Sequence, residues 1–139
     1  MYLTYSQYQD MGGTLDETTF NLYEFEAEAL INYYTFNRLK ADVSFPSEVL
    51  RCMYALISLI EKKANASTLG NSSGSNAQSS AAIASQSNDG VSISYNTISA
   101  QALVEGTNKE CENTIKMYLN GVTNELGRKL LYRGLYPNE

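Results

Sequence analysis

Apolar positions recur at three- and four-residue steps over four separate stretches of this chain, which is the period of an amphipathic helix. The stretch 16–39 predicts a long helix that carries Phe20, Tyr23, Ala27, Leu30, Ile31 and Tyr34 on one face. Asp16 or Thr14 stands where a side chain accepts from the free N–H groups at a helix start, and Glu17 suits the positive end of the dipole. A shorter helix is predicted over 4–11. Thr4 and Gln7 occupy capping-box positions, Tyr5, Tyr8 and Met11 share a face, and Gly12-Gly13 stop it. A third, over 46–65, opens on Pro46, where a missing N–H costs nothing. Its stripe is Val49, Cys52, Met53, Leu56, Ile57 and Ile60, and Lys62-Lys63 suit its negative end. The fourth, over 99–126, starts at Ser99 and carries Leu103, Cys111, Ile115, Tyr118, Leu119, Val122 and Leu126, with Gly106 and Gly121 weakening it. The expected core is Phe20, Ala27, Leu30, Ile31, Val49, Met53, Leu56, Ile60, Ile115, Leu119 and Val122.

The third connection breaks this pattern. Residues 66–80 read ASTLGNSSGSNAQSS, with too little apolar surface to offset the entropy of ordering them, so they are excluded from the core. Further on, Val91, Ile93 and Tyr95 alternate with serines, and Asn88-Asp89-Gly90 supply the residues of a tight turn. An arm is predicted there, with Asn88, Asp89, Gly90, Val91, Ile93 and Tyr95 as its contact residues toward another subunit. The last stretch, 126–139, reads LGRKLLYRGLYPNE, and Gly134 and Pro137 limit any helix in it. So apolar a segment must be tied down, either on the chain's own body or on another protein. The expected fold class is all-α: a small four-helix bundle, one domain over 1–139. Its long Ser/Asn-rich connection carries a β-hairpin arm, and its C-terminal segment is extended.

Composition narrows the chemistry. The chain has 139 residues, enough for one domain, and a helical body this small often gains stability by oligomerising. A net charge of −5 argues against a nucleic-acid binder. The N-terminal residues hold neither a basic stretch nor an apolar run, so no signal peptide is expected. The apolar run 53–60 is broken by Ser58 and too short for a bilayer, so no membrane partner is expected. Cys52 and Cys111 fall on apolar helix faces and are expected as buried free thiols, in keeping with a reducing cytoplasm. The Asn65-Ala66-Ser67 and Asn71-Ser72-Ser73 sequons are then chance matches. The chain has no histidine, the commonest general base and metal ligand, and no glycine-rich phosphate-binding or nucleophile-elbow motif. Glu24, Glu26 and Glu28 crowd one side of the second helix and read as a solvated face or as a surface meeting basic residues of a neighbour. No enzymatic activity, cofactor or metal is expected. The 11 tyrosines suit packing and interfaces, since each buries a ring and keeps one wet end.

Four blocks in the same order, YLTYSQYQDMGGTLDETTFNLYEFEAEALINYYTFNRL, FPSEVLRCMYALISLIE, IASQSNDGVSISYN and NELGRKLLYRGLYPNE, resemble the head–tail connector proteins of tailed bacteriophages. Among these adaptor or head-completion proteins, the versions it resembles most come from phages and prophages of Gram-positive bacteria. The resemblance covers nearly the whole chain outside 66–80. It implies a helical protein of the virion neck, assembled in the host cytoplasm as a ring, dodecameric on the virion, between portal and tail. Such a ring extends the DNA channel and completes the head, and DNA passes through without specific binding. A negative net charge suits that passage. The resemblance assigns the portal contact to the C-terminal segment, through Arg128, Lys129, Leu130, Leu131, Tyr132, Arg133, Leu135 and Tyr136. It assigns the arm to neighbouring subunits or to the next neck or tail-completion protein. Two other readings stay open: a DNA-binding packaging or regulatory protein using Arg128, Lys129 and Arg133 on phosphates, and a transient assembly chaperone.

Overall fold

The computed structural model describes residues 1–70, 85–88, 91–94 and 100–136. Among them the chain is helical, with α1 (Tyr5–Asp10), α2 (Glu17–Tyr34), α3 (Ser47–Gly70) and α4 (Ala100–Leu119). The caps agree with the sequence. Thr4 and Gln7 form a reciprocal capping box at α1, and Asp16 accepts from the Thr19 N–H at 3.0 Å at α2.

Three helix ends differ from expectation. α2 stops at Tyr34 rather than residue 39, because Phe36 and Asn37 take left-handed φ values of 55° and 59°. Leu39 nevertheless reaches the core, carried there by successive turns over 35–42, so the apolar period outlasts the helix. α4 stops at Leu119 rather than residue 126. Gly121, at φ 83°, turns the chain in a conformation other residues avoid. α3 instead runs beyond residue 65 and is described as far as Gly70, since adding residues to a formed helix costs little.

α3 lies at the centre, packed against both α2 and α4, and α1 rests on α2. The expected core residues are buried except Leu30 and Val122, which are half-buried and pack against it. Tyr2, Leu3 and Leu130 join the core from outside the helices. Cys52 and Cys111 are buried free thiols as expected, and burial pushes the Cys52 thiol up to about 12. Tyr8 lies between Phe20 and Tyr54, at ring-centre distances of 4.9 and 5.5 Å, joining α1 to α2 and α3.

In the third connection, β1 (Ser85–Asn88) pairs antiparallel with β2 (Val91–Ser94), Asn88 opposite Val91 and Gln86 opposite Ile93. Of the arm residues read from the sequence, Asn88, Val91 and Ile93 fall in these strands. Asp89, Gly90 and Tyr95 lie outside the described residues, as does 71–80 of the polar tract.

Candidate partner interface

Beyond α4 the chain makes a short irregular excursion organised by two buried polar side chains. Asn124 closes the loop: its Oδ1 accepts from the Leu126 and Arg128 N–H groups at 3.1 and 2.9 Å, and its Nδ2 donates to the Arg38 carbonyl at 3.2 Å. The Leu130 N–H returns to the Val122 carbonyl at 2.9 Å, and Thr123 bridges Lys129. Arg38 then holds the C-terminal segment beyond this loop. Its Nη1 donates to the carbonyls of Lys129 (3.2 Å), Leu130 (3.3 Å) and Tyr132, and its Nη2 donates to that of Gly134 at 2.8 Å. The same guanidinium lies 5.0 Å from the centre of the Tyr136 ring and 5.2 Å from that of Phe36. Tyr136 accepts from the Lys129 N–H at 2.9 Å, and its ring stands 5.1 Å from that of Tyr132. A planar five-donor fork is the side chain suited to gathering several carbonyls of an irregular segment.

This anchoring divides the residues assigned to the portal contact. Leu130 is fully buried in the chain's own core, so its assignment to a partner surface is corrected: the loop closed by Asn124 turns it inward. Leu131 is half-buried against the same core. Lys129, Tyr132, Arg133 and Leu135 are exposed, Leu135 at 86%. Arg128 and Tyr136 are half-buried, with the Arg128 guanidinium 5.9 Å from the Tyr136 ring centre.

The carboxylates of α2 fit the expected solvated face only in part: Glu26 is exposed, Glu28 half-buried and Glu24 buried. Glu24 is buried and accepts from the Tyr2 N–H at 2.8 Å, and burial raises its carboxyl above the ordinary range. Glu28 pairs with the Met1 amino group, and Glu26 lies 3.5 Å from Lys63. The Tyr2 hydroxyl donates to Asn32, and burial, with Glu28 near, pushes it up to about 12. The N-terminal residues thus pack along α2 and occupy much of its acidic side.

The outer face of α2 is the surface that periodicity alone did not bring forward. Leu22, Phe25 and Tyr33 are 66%, 73% and 76% exposed, and with Ala29 they form a row opposite the buried residues Phe20, Ala27 and Ile31; Phe36, 50% exposed, follows just past the helix end. Two depressions flank Tyr33. One, about 450 Å³, is lined by Phe25, Ala29, Asn32, Tyr33, Asn37 and Lys40, with Glu28 at its edge. The other, about 740 Å³, lies between the α2 end (Tyr33, Tyr34, Phe36) and the Glu112–Lys116 pair, with Leu131 and Arg133 completing it.

No family model, curated protein or solved structure matches this chain. A helix apolar on two opposite faces, beside a pinned segment carrying exposed aromatic, aliphatic and cationic groups, is suited to binding a macromolecule over a broad surface.

Proposed function

We propose that this chain is a structural subunit of a tailed-phage neck: a small four-helix bundle with a hairpin arm that forms a ring between portal and tail. In that role it extends the DNA channel, completes the head and offers the next neck protein a surface. The observation that carries this reading is the second apolar face of α2. A helix that is apolar on both sides belongs inside an assembly, because one side remains in water when the chain is alone. The head–tail connector resemblance supplies the kind of assembly.

On this reading the portal contact uses the exposed part of the C-terminal segment, with Tyr132 and Leu135 as apolar anchors and Lys129 and Arg133 giving orientation. Arg128 and Tyr136 stiffen the platform beneath them. Asn88, Asp89, Gly90, Val91, Ile93 and Tyr95 form the arm that meets adjacent subunits or the next neck protein.

The test uses portal-bearing, DNA-filled heads that lack this protein, mixed with the purified chain and sedimented. The wild type is expected to co-sediment with the heads and to retain their DNA. Tyr132→Ser combined with Leu135→Ser should keep the wild-type circular dichroism and lose at least about tenfold in attachment, since two exposed anchors lose their burial. Full attachment of that double variant would move the portal contact elsewhere on the molecule. A wild type that ignores heads but shows a salt-sensitive gel shift with DNA would replace the connector reading with the DNA-binding one.

A further inference from the structure

We propose that the outer face of α2 is a two-fold pairing surface, which in free solution takes a second copy of this chain in antiparallel register about Ala29. The inference rests on the reading of that face as a protein contact and specifies its occupant away from the virion.

The row is nearly a palindrome. Ala29 stands at its middle with Phe25 and Tyr33 four residues to either side, and Leu22 extends the row seven residues toward the helix start. Turning one copy about a two-fold axis through Ala29 sets alanine against alanine and Phe25 against Tyr33, with Leu22 toward the turn that follows α2 in the other copy. The small central residue lets two helix backbones approach, and the large flanking side chains close over the crossing. A matching recess is already present. The depression of about 450 Å³ lined by Phe25, Ala29 and Tyr33, with polar residues Glu28, Asn32 and Lys40 beside them, has room for an aromatic ring from the opposing helix.

Charge favours the antiparallel sense. Glu17–Tyr34 contains no lysine or arginine, and its first turn is acidic, with Asp16 and Glu17 exposed. Lys40, which lines the depression, lies beyond the other end. Antiparallel pairing brings each Lys40 toward the acidic turn of the second copy and opposes the helix dipoles, whereas a parallel pair would juxtapose like charges. Aromatic side chains bury about 150–250 Å² each. Two rings and a leucine therefore supply on the order of 400 Å² per copy, about half of the roughly 800 Å² per partner of a standard interface, which suits a weak, reversible pair. A two-fold contact is saturated by two copies and cannot propagate, so the pair would keep the apolar row covered until a portal recruits the chain.

The experiment uses the full chain. In sedimentation velocity at about 50 μM, in the micromolar range where interfaces of this size associate, the wild type should run as a dimer. Ala29→Glu should run as a monomer with unchanged helical dichroism, because it sets two carboxylates against each other at the axis. Ala29→Cys locates that axis. Under mild oxidation it should form a disulfide-linked dimer in most of the sample, because only a two-fold axis passing close to residue 29 brings a residue against its own copy. Gln9→Cys, exposed on α1, should not. The buried Cys52 and Cys111 do not compete. A wild type that stays monomeric at this concentration overturns the proposal, as does a dimer whose Ala29→Cys variant fails to cross-link. If Ala29→Glu unfolds, the cross-link still decides. Pairing without attachment to heads would remove the connector reading and leave the pair standing, and attachment without pairing would do the reverse.

Discussion

Arg38 is charged, almost enclosed, and aimed at main-chain carbonyls more than ninety residues further along the chain. Replacing it with methionine keeps the bulk and removes every donor, leaving several half-buried carbonyls without that partner. Charge-assisted hydrogen bonds contribute about 1.5–3 kcal/mol each, so Arg38→Met should lose about 3 kcal/mol or more, read as a lower urea midpoint. Arg38→Lys should fall between the two, because one ammonium group cannot span the carbonyls a fork reaches. Glu24 gives a pH-dependent prediction. Burial raises its carboxyl in the folded chain above the unfolded value, and the Tyr2 N–H only partly offsets this. The folded state therefore holds the proton more tightly. This contribution to stability is present below the unfolded pKa and is lost as pH rises through the folded one. Glu24→Gln keeps an acceptor for the Tyr2 N–H and does not titrate. Between about pH 4 and about pH 7 the wild type should lose stability relative to this variant, measured as the difference in their urea midpoints. An unchanged difference across that range would mean that the Tyr2 hydrogen bond balances desolvation, and a change of opposite sign that it outweighs it.

At the scale of elements, the C-terminal segment behaves as part of the body. Leu130 fills the core and the Arg38 fork lies over the segment's backbone, so Leu130→Ala should cost about 2–5 kcal/mol, as buried leucine truncations do. Ending the chain after Leu126 removes Leu130 and the acceptors of Arg38 together. That truncation should be less stable than Leu130→Ala by thermal denaturation, rather than folded and merely unable to bind a partner. The apolar composition of the segment is reason enough for it to be covered, but two covers satisfy that need equally. A leucine in LGRKLLYRGLYPNE looks the same whether it meets its own core or a portal, and only the loop closed by Asn124 turned Leu130 inward. The end of α2 was similarly hidden. Leu39 sits where a continuing helix would bury it, while the left-handed residues Phe36 and Asn37 carry no glycine to mark the break.

For the whole molecule, association and stability are linked. If α2 pairs about Ala29, unfolding must separate two copies, and the thermal midpoint should rise with protein concentration. Ala29→Glu should abolish that rise, giving the pairing proposal a second readout alongside sedimentation. The same logic connects pairing to neck assembly. A surface that is covered two by two in solution must be uncovered, or covered differently, in a ring, and attachment to heads would then be slower at concentrations where the pair dominates.

The caps, the four helices and most of the core were determined by the chain locally, because hydrogen bonds at helix starts and a 3.6-residue apolar period act over a few residues. The resemblance to connector proteins was likewise read from the order of blocks along the chain. Tertiary structure decided what lies between distant residues: Glu24 beneath the first residues of the chain, Arg38 across the last turns, and Leu130 in the core rather than on a partner. It also decided which face of α2 was left over. Leu22, Phe25, Ala29 and Tyr33 form a second apolar row, and the spacing that picked out Phe20, Ala27 and Ile31 as core says nothing of whether the other row is covered. Only the packing of α3 against one of them left the other in water.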